Sequence, residues 1–289
     1  MADIKALRTR IKSVDSTLHT TKAMGLVASS KIRRATDGMM KSRQYSRAVD
    51  DVMKRLAENP ECKRSAYMRS APANGGKTKL IIIAGDRGLA GGYNANVFRL
   101  AAQYLGDNVS VIPIGKRACD RFRGDDMYPS CEKFSSADAS ALARRLTAQF
   151  AAGEFDRLGI IRTRYVSVLS QVAEIVWLLP LSEASFDDSA KKRKGGAPVG
   201  ETAEMTAGMI FEPDEVSILS EVVPEFVAGR IAGAVRESFA SEVAARRAAM
   251  DSAGKNAEDM IERLQLQYNR ARQGAITQEI TEIVAGAGQ

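Results

Sequence analysis

Apolar and small residues recur in alternating steps of three and four from the start of this chain: Ile4, Leu7, Ile11, Val14, Leu18, Thr21, Gly25, Ala28, Ile32, Ala35, Met39, Ser42, Ser46, Val49, Met53 and Leu56. The frame meets no proline before Pro60 and predicts a helix over residues 1–60 that pairs as a left-handed coiled coil. At about 1.5 Å per residue that helix is roughly 80 Å long, so it needs a partner of similar length. The other end of the chain supplies one. Beyond Pro224 there is no further proline, and a seam of Ile261, Leu264, Tyr268, Ala271 and Ala275 is followed by an offset one of Ile276, Ile280, Ile283 and Ala287. The offset predicts that the face turned to the partner shifts along the helix. Gly229, Gly233, Gly254 and Gly274 each cost up to about 1 kcal/mol relative to alanine, so local looseness is expected there rather than four breaks. The first seam is poor in bulk at Thr21, Gly25 and Ala28, and again at Ser42 and Ser46. Small residues let backbones approach but bury less apolar area, worth roughly 25 cal/mol per Å². A coil with other surfaces pressing on it, or one that twists, has reason to look like this.

Between the two helices the pattern changes to short continuous apolar runs. Lys79–Ala84, Val109–Ile114, Leu158–Arg162 (continuing toward Val168) and Val172–Leu179 read as strands. Helices are expected at about Asn94–Leu105, Lys116–Phe122 and Ser136–Ala152, the last with Ser136 and Asp138 as capping candidates. Strand–helix alternation of this kind implies a mostly parallel sheet with helices on its faces. The expected fold class is therefore α/β: a long antiparallel coiled coil of N- and C-terminal helices plus a central Rossmann-like domain. The expected divisions are a coiled-coil helix over 1–60, a linker over 61–77 and the α/β domain over 78–182. A polar linker over 183–208, carrying KKRKGG, is expected to be mobile, and 209–289 holds a short Met-Ile-Phe-Glu-Pro element and the second long helix.

Charge narrows the partners. The 289-residue chain has a net charge of +7, and residues 1–60 alone hold thirteen Lys and Arg against six Asp and Glu. A basic rod suits nucleic acid, anionic lipid headgroups or an acidic protein ring, and a solvated coil face carries the same signal. Nucleic-acid binding lacks support: there is no helix-turn-helix or zinc-finger pattern, and Tyr45 is the one aromatic residue of that stretch where stacking would need several. Cys62, Cys119 and Cys131 form no C-x-x-C pair, which speaks against a zinc site or disulfide framework and for a reducing compartment. The opening MADIKALRTRI enters the seam at once, so no targeting peptide is expected. No apolar run approaches the roughly 20 residues that cross a bilayer, so the expectation is a soluble or membrane-peripheral protein.

Chemistry has few candidates. Gly85-Asp-Arg-Gly-Leu-Ala-Gly-Gly-Tyr-Asn94 follows a strand and precedes a helix, where nucleotide phosphates are often held. It matches neither phosphate-loop spacing, because its glycines fall at 85, 88, 91 and 92 and no Lys-Ser/Thr pair follows. A tight turn presenting Asp86 and Arg87 is the simpler reading. His19 is the one histidine and sits at the rim of the first seam beside Leu18. No catalytic residue, metal site or cofactor is assigned, and a standalone nucleotide-binding α/β protein with a coiled-coil arm is kept as the alternative function.

Four segments, in order along the chain, resemble the gamma subunit of F-type ATP synthases. They are IKSVDSTLHTTKAMGLVASSKIRRA (11–35), GDRGLAGGYN (85–94), FEP (211–213) and LQLQYNRARQGAITQEITEIVAGA (264–287). The resemblance implies a non-catalytic rotor of bacterial type on the cytoplasmic face of the inner membrane. Its antiparallel shaft would enter a ring of three alpha and three beta subunits, and its base would rest on a c-subunit ring turned by protons, beside an epsilon subunit. Membrane contact would come through the c ring alone. It further implies beta-ring contacts by Lys22, Met24, Asp86, Arg87, Arg246, Gln273, Thr277, Glu279 and Glu282, and contacts to the c ring or epsilon by Met209, Phe211 and Glu212. The chain departs from the family pattern at Ala90, where many members carry cysteine, and at Gly25, which replaces a bulkier residue and is expected to loosen the coil. The thiol pair of the light-regulated chloroplast branch is not visible, so no redox switching is expected.

Overall fold

The computed structural model describes residues 2–69, 76–124, 126–186 and 214–287. Most of the expected 183–208 linker, together with Met209, Phe211 and Glu212, lies outside the described residues. In chain order the elements are α1 (Ala2–Glu58), two 3-10 turns (Cys62–Arg64 and Ala66–Met68), β1 (Thr78–Ile83), α2 (Tyr93–Ala102), β2 (Val109–Ile114) and α3 (Lys116–Arg121). They continue with α4 (Ser136–Ala151), β3 (Arg157–Tyr165), β4 (Gln171–Leu179), α5 (Glu183–Phe186) and α6 (Glu215–Ala287).

The first seam folds as its pattern dictates. Every one of its residues in α1 is buried or half-buried, while the positions between them mostly face solvent. α6, 73 residues long, runs antiparallel beside it. Small residues on one helix stand opposite larger ones on the other: Gly25 lies under Met250, and Gly254 under Leu18 and Thr21. Gly229 and Gly233 are sites of close approach rather than looseness. A Cβ on Gly229 would sit 2.9 Å from the Tyr45 ring, and one on Gly233 would sit 3.3 Å from Ser42 Oγ. α6 runs unbroken through Gly229, Gly233 and Gly254, where α1 fills the space beside the glycine, and through Gly274, which has open space beside it.

The offset C-terminal seam does not pair. The numbers of facing residues total about 275, so α1 is used up where α6 reaches its last dozen residues. Ile261, Leu264, Tyr268, Ala271 and Ala275 are covered or half-covered, whereas Ile276, Ile280, Ile283 and Val284 are 47–70% exposed. The last twelve residues of α6 extend about 18 Å past its partner.

The sheet has the order β2-β1-β3-β4. β1 pairs in parallel with both β2 and β3, and β4 runs antiparallel to β3. β3 stops at Tyr165 rather than continuing toward Val168, because Ser167 Oγ accepts the amides of Leu169 and Ser170 and turns the chain. One sheet face, with Ile81, Ile83, Ile114 and Ile160, packs on α4, α6 and the end of α1. The other, with Leu80, Ile82 and Ile161, packs on α2 and α3. α4 is capped by Ser135 rather than Ser136: its hydroxyl accepts Asp138 N while the Asp138 carboxylate accepts Ser135 N. The Ser135 hydroxyl, which also donates to that carboxylate at 2.7 Å, and then the Ser135 amide hold the Asp138 carboxyl below the usual carboxylate range.

Where α1 and α6 meet the domain, Arg230 and Asp50 form a buried ion pair at 3.1 Å, and Arg230 also donates to Ser185 O at 2.8 Å. Removing one partner of such a pair leaves a buried charge uncompensated. Asp50→Ala is expected to cost about 3–5 kcal/mol, read as a lowered midpoint in urea unfolding of the isolated chain.

Candidate functional site

The glycine loop is held from two sides by carboxylates that belong to the fold. Asp86 turns inward. Its side chain accepts from Ser130 Oγ at 2.7 Å, Cys131 N at 2.8 Å, Glu132 N at 3.2 Å and Lys116 N at 3.4 Å. From the shaft, Glu242 accepts Asp86 N and Arg87 N, each at 3.2 Å, and also pairs with Arg246. Arg246 in turn donates to Gly88 O at 3.2 Å and Arg87 O at 3.3 Å. Asn94 Oδ1 accepts Gly85 N at 2.8 Å, completing the turn. Gly85 must be glycine for this approach, since a Cβ there would lie 2.8 Å from Glu242 Cδ.

This arrangement answers the nucleotide question. The amides at 85–87 that would cradle a phosphate already donate to Asn94 and Glu242. A buried carboxylate stands where the anion would go, and like charges that close repel strongly. Among the described residues no group of three or more His, Cys, Asp or Glu could hold a metal ion. His19 is exposed and 3.8 Å from Asp15.

The tip of the loop faces outward. Leu89 adopts a left-handed backbone (φ 59°) and is 63% exposed. It borders a groove of about 490 Å³ that runs between the loop and both shaft helices and is lined by Met24, Val27, Phe239, Val243 and Arg246. The other residues singled out in the sequence distribute as follows. Lys22 bridges to Glu258 of α6 at 2.8 Å on an exposed face. Met24 and Arg87 are exposed, and Arg246 is mostly covered. Thr277, Glu279 and Glu282 are exposed on the free end of α6, with Glu282 accepting from Gln278 at 2.9 Å, and Gln273 is exposed just before it. The structure thus gathers Met24, Asp86, Arg87 and Arg246 around one groove and leaves Lys22 and the tail residues apart from it. Sequence reasoning missed Glu242, whose signal was a Glu four residues ahead of Arg246 on a helix. It had no way to find Ser130 and Cys131, which are brought in by tertiary folding.

Two neutral acids sit beneath the loop. Burial, followed by the nearby Asp86 and Glu242 carboxylates, pushes the Cys131 thiol well up, and its Sγ donates to Ala84 O at 3.1 Å. The Tyr93 phenol is raised well above its ordinary value, again chiefly by burial, and donates to Ser238 O at 3.0 Å.

Fold and site together define a shaft protein: a long antiparallel coiled coil with an α/β domain fixed to its side and a loop tied to the shaft by carboxylates. The comparisons agree. A family model described as ATP synthase matches residues 3–288. The sodium ion specific ATP synthase gamma chain of Acetobacterium woodii is 38% identical over 297 residues, spanning 99% of this chain and 98% of its own. The ATP synthase gamma chain of Ruminococcus albus is also 38% identical, over 98% of this chain and 97% of its own. Among solved structures, the rotor of the Euglena gracilis mitochondrial ATP synthase in rotational state 1 superposes with a TM-score of 0.61 at 17% identity, covering 95% of this chain and 99% of that one. The central stalk and c-ring structure of the Tetrahymena thermophila mitochondrial ATP synthase gives 0.60 at 23% identity, covering 81% and 99%. At those identities the structures speak for the fold. The chain belongs to the ATP synthase gamma-chain family.

Two measurements test the loop. Glu242→Ala removes the acceptor of two loop amides, so the peptide covering 85–92 is expected to exchange its amide hydrogens at least about tenfold faster, a change worth roughly 1.4 kcal/mol of local opening. The second concerns pH. Cys131 and Tyr93 are protonated in the folded chain above the values near 9 and 10 at which they ionise when free. The unfolded state then binds fewer protons, so stability is full below about pH 9 and falls as pH rises beyond it. Thermal melting between pH 8 and 10.5 should show that fall, and Cys131→Ala should make it shallower.

Proposed function

We propose that this chain is the central-stalk rotor of an ATP synthase, a non-catalytic shaft that transmits torque between an ion-driven c ring and three catalytic beta subunits. The observation that carries the reading is the free end of α6. A helix that outruns its partner by about 18 Å while exposing Ile276, Ile280, Ile283 and Val284 is unfinished as an isolated object. A ring of subunits closing around it would cover those side chains from several directions. The exposed Gln273, Thr277, Glu279 and Glu282 would then make the polar contacts with that ring.

Lower on the shaft, the exposed Lys22, Met24 and Arg87 would meet the same ring, with Asp86 and Arg246 positioning the loop from within. Met209, Phe211 and Glu212 are proposed as the foot on the c ring and epsilon. Among the described residues no helix is long and apolar enough to cross a membrane. Contact with the bilayer would therefore run through the c ring, at the cytoplasmic face of a bacterial inner membrane, and protons are the proposed driving ion. The nucleotide-binding alternative has lost its support, since Glu242 fills the loop.

The test combines alpha and beta subunits with the full chain or with one ending at Ala275. The full chain is expected to drive assembly of an ATP-hydrolysing complex. Covering the tail's apolar side chains is worth on the order of 3 kcal/mol, so the shortened chain should hold the complex roughly 100-fold more weakly. Assembly and hydrolysis that ignore the chain would sink the reading, and tight ATP binding by the isolated chain would revive the alternative.

A further inference from the structure

β3 outlives its neighbour. Its pairing with β1 ends at Ile82 and Ile161, yet the strand continues to Tyr165. On the edge left open, α6 takes the place of a strand through its side chains. Ser238 Oγ accepts Thr163 N at 3.1 Å, Ser241 Oγ donates to Thr163 O at 3.2 Å, and Glu237 Oε1 accepts Tyr165 N at 3.1 Å. All three α6 residues are buried.

Glu237 does more than close that edge. Its Oε1 also accepts from Arg43 of α1, and its Oε2 accepts from Arg162 of β3 at 3.1 Å. Arg162 reaches on to Glu174 Oε1 at 3.1 Å, and Arg164 meets Glu174 Oε2 at 2.9 Å, which brings in β4. Arg43 adds a bond to Tyr165 O at 3.2 Å. One carboxylate thereby joins both shaft helices to a central strand of the sheet.

Stability alone does not require such a device, because well-packed apolar residues often serve as well as a buried ion pair. Its distinctive property is directionality. α4 packs on α6 through buried apolar side chains, and the bonds that cross that contact, Arg144–Glu225 at 3.4 Å and Arg236 to Ser136 Oγ at 2.9 Å, lie on exposed faces where solvent weakens them. Hydrogen bonds weaken steeply once the donor angle bends, and charge-assisted ones are the stronger kind. A load applied around the shaft axis would bend these bonds first, and β3 would spread it to β1 and β4.

We infer that Glu237, bridging Arg43 and Arg162 while Ser238 and Ser241 close the open edge of β3, is a positioning residue that makes shaft and α/β domain turn together, acting at the sheet as Glu242 and Arg246 act at the glycine loop. The inference rests on the rotor reading above. It goes beyond that reading by assigning torque transfer within the chain to particular bonds.

The test uses the assembled complex, with its alpha–beta ring fixed to a surface and a bead attached to the β3–β4 turn through Leu169→Cys in a Cys119→Ser background. Leu169 is 86% exposed. In a stalled complex, the variance of the bead angle reports torsional compliance. In Glu237→Gln the amide group must face one of three converging donors, and charge-assisted bonds are roughly twice as strong as neutral ones, so the variance is expected to rise about twofold. Ser238→Ala with Ser241→Ala should raise it as well. Val97→Ala, which opens a buried site on the other face of the sheet, lowers domain stability without touching these bonds and should leave the variance at the unsubstituted value. Clamp variants that match the unsubstituted chain, or that match Val97→Ala, would overturn the inference. An unsubstituted chain that fails to assemble at all would overturn the rotor reading and this inference with it.

Discussion

Close approach of two helices along one register is the constraint from which the rest of this structure follows. α1 and α6 come together where a glycine on one helix meets a larger residue on the other, as Met250 does at Gly25, Leu18 at Gly254 and Tyr45 at Gly229. That matching admits one alignment, since a shift of a single turn would set bulk against bulk. The alignment fixes which part of α6 meets the sheet, where Glu242 reaches the glycine loop, and how much of α6 is left over at its end. The domain and the free tail are thus consequences of where two helices agree to touch.

Most of the architecture was legible where it is written locally. The α1 seam, the strands and the domain helices were read within a few residues, because hydrophobic period is a property of the segment itself. Three features were not. The antiparallel course of β4 was hidden by expecting continued alternation, although the few residues between Tyr165 and Gln171 are too short for a crossover. The cap at Ser135 lay one residue before the one chosen. The unpaired state of Ile276, Ile280 and Ile283 could not be read from their spacing, because a seam announces a partner without saying where that partner ends.

The candidate site was legible in outline and opaque in mechanism. The glycine loop stood out, but the residues that govern it come from α6 and from the segment between α3 and α4. A strand–loop–helix unit elsewhere leaves its amides free for a phosphate. Here the fold supplies its own anion from Glu242, converting a binding loop into a fixed projection. Long-range acceptors of this kind leave no periodic trace in a sequence, which is why the same glycines can read as a ligand site until the shaft is in place.

Leu89 shows where this chain's two obligations diverge. A leucine in the left-handed region costs on the order of 1 kcal/mol relative to the glycine that would adopt it freely, and its side chain covers little within the chain. A sequence optimised for the lone polypeptide would not keep it. On the rotor reading the protein works as part of a complex, so engineering the isolated chain toward a higher melting temperature selects against exposed, strained side chains such as Leu89 without any reference to what the complex needs.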